Sequence, residues 1–167
     1  MQLRELENEG ILQKFARGWY WSNACGFEKP EDYKYIEITK VNPRAVICMD
    51  SACYLSGILR EEPSMVSVAT ERTDRSQMQL VFPIRRYYLQ RTGISGEVCK
   101  IATKFGDYRY FSAERTICDC ARMKNKLDSR IYQEITDTYE RQKFQKDRVY
   151  AYAKELRALK NVENLWV

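Results

Sequence analysis

The stretch from Tyr110 to Lys126 leaves the chain least freedom, because the end of a short aromatic strand runs straight into a charged amphipathic helix. Ser112 stands where a hydroxyl caps such a helix by accepting a free amide of its first turn. At about 100° per residue, Ala113, Ile117, Cys120 and Ala121 share one side, and Arg115, Asp119, Arg122 and Lys126 share the other. The spacing predicts a helix that buries one face and turns an Arg-Asp-Arg-Lys stripe outward. On spacing alone this is a solvated face laced by i,i+4 and i,i+3 ion pairs, Arg115 with Asp119 and Asp119 with Arg122.

The residues before it read as a small unit followed by a mixed domain. Residues 2–9 favour a helix that Gly10 stops. A short apolar segment at 11–16, a tight turn at Arg17-Gly18 and an aromatic strand at Trp19–Trp21 follow. The order suggests the recognition helix and wing of a winged helix-turn-helix. It also suits a helix and hairpin packed on the main body. Arg4, Lys14 and Arg17 are the only basic residues of this unit, matched by Glu5, Glu7 and Glu9. Affinity for DNA grows with the number of phosphates neutralised, so the unit alone would bind DNA weakly. Residues 23–30 read as a linker. Residues 31–41 leave helix and strand both open. A β-rich run at 45–49 leads to Asp50-Ser51, placed to cap a helix that Gly57 ends. Strands are expected at 65–70 and 78–90, with Pro83 confining part of the second to an edge or a break. A Gly-containing loop at 92–96 precedes a hairpin about residues 105–107. Beyond the opening helix, Asp128 and Asp147 are placed to cap two more. One would bury Ile131, Ile135 and Tyr139, the other Val149, Tyr152, Ala153 and Leu156.

The expected class is therefore α+β: a partial winged helix at 1–22, the linker, and a mixed β-sheet domain at 31–167 closed by three C-terminal helices. With 28 basic and 23 acidic residues in 167, the net charge of +5 permits an anionic partner without demanding one. The chain has no histidine, which removes imidazole general bases, Ser-His and Cys-His nucleophile pairs, and imidazole zinc sites. There is no P-loop and no dinucleotide fingerprint, and no cofactor or metal is expected. Glu61 and Glu62 are adjacent and diverge on either a helix or a strand, so they read as surface. The six cysteines lack C-x-x-C spacing and read as reduced, mostly buried small hydrophobes of a cytoplasmic protein. No leader and no membrane span are expected. Arg85, Arg86 and Arg91 flank Tyr87 and Tyr88, an arrangement that suits either base stacking or one half-buried strand.

Several segments together resemble the AbiEi family of abortive-infection antitoxins, the antitoxins of type IV toxin–antitoxin pairs. Residues 110–119, with Ser112, Arg115, Thr116 and Asp119, are similar to that family's tyrosine-serine-x-x-basic-threonine-x-x-aspartate segment, and Lys124-Asn125-Lys126 continues it. Phe111 is either an insertion after Tyr110 or itself the aromatic position. Residues 10–20 look like the end of the family's winged helix. Residues 45–57 look like its inter-domain helix entry, with Ile58 in place of leucine, and residues 150–157 look like its closing helices. The family's first two winged-helix helices have no counterpart. The resemblance implies a non-enzymatic antitoxin that counters a nucleotidyltransferase toxin without a stable complex. A longer form would bind a DNA operator and repress its own transcription. The alternatives are a nucleic-acid-binding regulator with no antitoxin role and, behind it, an enzyme acting on the toxin, a nucleotide or RNA. Arg115, Asp119, Arg122 and Lys126 are the candidate working surface. There Asp119 would orient the arginines toward an anionic partner such as nucleic acid or a nucleotide. Ser112, Thr116 and Asn125 are the candidate structural positions.

Overall fold

The computed structural model describes residues 2–24, 26, 28–142 and 145–165. The protein is α+β. Helix α1 (Leu3–Asn8) and the hairpin β1 (Leu12–Ala16) and β2 (Trp19–Ser22) come first, then α2 (Tyr33–Val41), β3 (Val46–Ile47), α3 (Met49–Leu55) and β4 (Val66–Glu71). β5 (Ile84–Leu89), α4 (Arg91–Ile94), β6 (Val98–Thr103) and β7 (Gly106–Phe111) follow. The chain closes with α5 (Ala113–Arg122), a 3-10 turn (Lys124–Lys126), α6 (Ser129–Arg141), α7 (Lys146–Glu155) and α8 (Leu159–Glu163).

The main sheet has the strand order β5-β4-β3-β7-β6. It is mixed: β4 with β5 and β3 with β7 are parallel, while β3 with β4 and β6 with β7 are antiparallel. Alternation along the strands sorts the core into two layers. Val46, Ala69, Tyr87 and Phe111 face α3 and the C-terminal helices, while Ile47, Val66, Val68 and Tyr108 face α2. Helices therefore cover both faces of the centre, and β4 is buried from Val66 to Thr70.

Glycine ends α1 and α3 by the same device. Gly10 and Gly57 take positive φ, and the next residue donates back to the third-last helical carbonyl, Ile11 to Leu6 and Ile58 to Cys53. Asp50 and Ser51, placed by the sequence as caps, lie inside α3. The cap position is Cys48, and the two polar side chains tie α3 to β4. The Ser67 hydroxyl donates to Asp50 at 2.5 Å, and the Ser67 amide donates to Ser51 Oγ at 2.9 Å. The strand expected at 78–90 is shorter. Met78, Leu80 and Phe82 alternate in burial because they lie across the α2-side core, not because they pair, and pairing begins after Pro83. Residues 91–94 form a helical turn in place of a loop. A fourth C-terminal helix, α8, joins the expected three, and Asp147 sits in the first turn of α7 behind the cap position, Gln145.

The N-terminal unit is docked onto α2. The Trp21 indole N–H donates to the buried Glu37 carboxylate at 2.6 Å, and its ring meets Phe105 edge-on at 5.4 Å. Four of the cysteines, Cys48, Cys53, Cys118 and Cys120, are buried free thiols, Cys99 is half-buried, and Cys25 lies outside the described residues. Among the described residues no helix is long and apolar enough to cross a membrane.

The polar loop after β4 is held by Asp74. Burial alone would push its carboxyl up. The Ser76 hydroxyl and amide, Asn42 at 2.6 Å and the Arg86 cation at 3.3 Å outweigh burial and hold it at about 2. A carboxyl depressed in the folded state contributes stability above its unfolded pKa of about 4 and loses it as pH falls through the folded value. Asp74→Asn should therefore lower the urea midpoint at pH 7. The gap from wild type should close as pH falls from about 4 to about 2.

Candidate functional site

Helix α5 carries the site, but not as an exposed stripe. Ser112 caps α5 by accepting the Arg115 amide, and the Thr116 hydroxyl donates to the Phe111 carbonyl at 3.2 Å, so both hold the strand-to-helix junction. Arg115 and Asp119 are buried, at 2% and 1% exposure. Arg115 Nε donates to Asp119 Oδ2 at 2.9 Å, and Arg122 Nη2 donates to Asp119 Oδ1 at 2.9 Å. A second Arg115 nitrogen reaches the Gly93 carbonyl at 2.9 Å, and its guanidinium carbon lies 4.8 Å from the Phe111 ring centroid. Burial pushes the Asp119 carboxyl up, and the two guanidinium groups oppose that shift.

The turn at 91–96 explains the departure from a solvated stripe. It folds over the polar face of α5 and offers Arg115 a carbonyl, while the apolar face packs on the core under the sheet. Gly96 gives the guanidinium room: a Cβ there would stand 2.3 Å from Arg115 Nη1. Periodicity locates the two faces of a helix, but it does not say what covers the second one. Lys126 also leaves the stripe, because α5 ends at Arg122 and the 3-10 turn reorients the chain. Asn125, expected to be structural, is exposed on that turn.

Above the buried pair lies a cleft of about 740 Å³, lined by Arg72, Arg115, Arg122 and Arg157 with Tyr88 and Glu155. An adjoining cleft of about 640 Å³ shares the Tyr88, Leu89 and Met123 wall and adds Arg85, Asn125 and Lys126. Arg122 is the bridge between floor and rim, with its side chain 30% exposed and its Nε without an acceptor among the described residues. No carboxylate among the described residues pairs with Arg72, Arg157 or Lys126. The hollow beside α6 differs, because Arg60, Arg130 and Arg141 there are balanced by Glu61, Glu134 and Asp137.

Arg157 ends α7 in the conformation that Gly10 and Gly57 take elsewhere, with φ 54° and the Ala158 amide bonded to the Ala153 carbonyl at 2.7 Å. A side chain in that region costs roughly 1 kcal/mol. The protein therefore places a strained arginine, where glycine would be easier, at the rim of a cationic cleft.

The sequence anticipated part of this cluster. Arg115 and Arg122 share one cleft, joined through Asp119, while Lys126 lies in the next. Arg72 and Arg157 were not foreseen, since no local pattern links a residue after β4 with one after α7. The tyrosine pair does not form a continuous stacking surface. Tyr87 is buried beneath α5, and Tyr88 is 52% exposed on the opposite face of β5, with the Arg86 guanidinium over its ring at 5.0 Å. Arg91 is exposed at the start of α4. Arg4, Lys14 and Arg17 are exposed on the N-terminal unit, and among the described residues no ion pair or hydrogen bond joins their side chains to α5. No protein-family model matches the chain, and no curated protein matches it.

Proposed function

We propose that the chain is the antitoxin of a type IV toxin–antitoxin pair. It counters a nucleotidyltransferase toxin without a stable complex with it, by binding an anionic partner such as nucleic acid or a nucleotide and with no catalysis of its own, and a longer form would add operator binding and autorepression. The observation that carries this reading is the position of residues 112–122. The segment with the most specific resemblance supplies both the buried Arg115–Asp119 pair and the Arg122 side chain of the cationic cleft. Guanidinium groups stay charged throughout the physiological range and suit recognition of an anionic surface rather than proton transfer.

Co-expression with a nucleotidyltransferase toxin tests the proposal, with growth as the readout. The wild-type chain should restore growth, and the double variant Arg122→Ala, Lys126→Ala should not. Arg115 still holds Asp119 in that variant, so the loss of Arg122 should cost only about 1.5 kcal/mol and the protein should still melt cooperatively. Growth restored equally by the variant would remove this face from the mechanism. No restoration by a well-expressed wild type would remove the antitoxin reading.

A further inference from the structure

We infer that the outer edge of β5 is a docking site for an acidic, extended segment of a partner protein, which joins the sheet as an added strand. The ladder fixes which backbone groups face outward. The Val66 amide donates to the Pro83 carbonyl at 3.1 Å, and the Arg72 amide donates to the Leu89 carbonyl at 2.7 Å. In this parallel register the odd-numbered residues of β5 bond inward to β4. The amides and carbonyls of Ile84, Arg86 and Tyr88 therefore point away from the sheet. Among the described residues these groups make no hydrogen bond.

The groove along this edge has a second wall. Met123, Asn125 and Lys126 line it opposite β5, and Arg85 spans to the Lys126 carbonyl at 3.0 Å, holding the 3-10 turn beside the strand. At its far end the groove opens into the cleft of Arg72, Arg122 and Arg157. An added strand would thus find unpaired amides and carbonyls in strand geometry near Arg72, Arg85, Arg157 and Lys126, cations that no carboxylate among the described residues pairs. A second copy of this chain fits poorly, because pairing β5 with itself would set Arg85, Arg86 and Lys126 against their own copies. Pro83 and these charges guard the edge against self-association, and the same charges select an acidic strand. A nucleic acid would use the cations and leave the alternating backbone groups unused.

The probe is an acetylated, amidated heptapeptide of sequence DVTVEVD, added to the full chain. Hydrogen exchange should show the Arg86 and Tyr88 amides exchanging about tenfold or more faster than those of Tyr87 and Leu89 in the free protein, and slowing when the peptide is added. A peptide N-methylated at every residue, which has no free amide on either edge, should give no protection. Tyr88→Pro removes an outward amide without removing a ladder bond, so the variant should melt normally and bind the peptide at least about tenfold more weakly. Lys126→Glu should weaken the acidic peptide and favour its lysine-substituted analogue, which keeps the inference testable if the proline variant folds poorly.

Unprotected Arg86 and Tyr88 amides, or undiminished binding by both variants, would overturn the inference. A fifteen-nucleotide oligothymidine that binds more tightly than the peptide and displaces it would also overturn it. The inference reaches beyond the antitoxin proposal and stands apart from it. Loss of peptide docking with growth rescue intact removes only the docking strand, and docking without rescue removes only the antitoxin role.

Discussion

Arg115→Ala should destabilise the protein by about 3–5 kcal/mol, as expected when one partner of a buried ion pair is removed. That is a large part of the roughly 5–15 kcal/mol that holds a typical domain folded. Asp119 would stay buried with only Arg122 to meet it, and the Gly93 carbonyl would lose its donor. Urea unfolding followed by circular dichroism measures the effect. Arg115→Lys should restore little, because an ammonium on a flexible stem does not present the planar fork that reaches Asp119 and Gly93 together. The double variant Arg115→Met, Asp119→Leu should recover most of the loss, since replacing both members of a buried pair with apolar groups is often close to neutral. Arg122, 30% exposed, can then turn to solvent. If the double variant were as unstable as the single one, the fold would depend on the charges themselves rather than on their mutual compensation.

Trp21→Ala should have the next largest effect, about 3 kcal/mol, and a local one. The ring is wedged between Phe15 at 5.8 Å and Phe105 at 5.4 Å, and its N–H meets the buried Glu37 carboxylate, which also pairs with Lys29 at 2.9 Å. Removing the ring takes away the hairpin's edge-on contact with Phe105 and its hydrogen bond to α2, and leaves Glu37 with Lys29 alone. Limited proteolysis should then cut near residues 17–30 while the five-stranded sheet persists by circular dichroism. Cooperative loss of the whole structure would instead make residues 1–22 an integral part of one folding unit.

Local rules made much of the fold legible. Gly10 and Gly57 stop their helices, Ser112 caps α5, Pro83 marks an edge strand, and the hairpin before α5 falls where aromatic alternation and Gly106 place it. What the sequence concealed depends on partners distant in the chain. Asp50 and Ser51 have the chemistry of helix caps, but Ser67 recruits them inward. Met78, Leu80 and Phe82 show strand alternation because they lie on a core surface. Arg115 and Asp119 have the spacing of a surface pair and are covered by a turn some twenty residues earlier. A charge pattern with period 3.6 is the same whether water or a backbone carbonyl lies above it, so only the tertiary fold distinguishes the two. The cationic cleft was half visible for the same reason: α5 contributes Arg115 and Arg122, while Arg72 and Arg157 arrive from elsewhere.

The close approach of Gly96 to Arg115 couples a surface turn to the buried helix. A methyl group at position 96 and a guanidinium at position 115 compete for one volume. A change at one position is therefore felt at the other, although one belongs to a surface turn and the other to a buried helix. Alanine at 96 requires the Arg115 guanidinium to shift from its place above Asp119 and beside the Gly93 carbonyl. The space left by the missing side chain at 96 is thus part of what seats the charged pair beneath it.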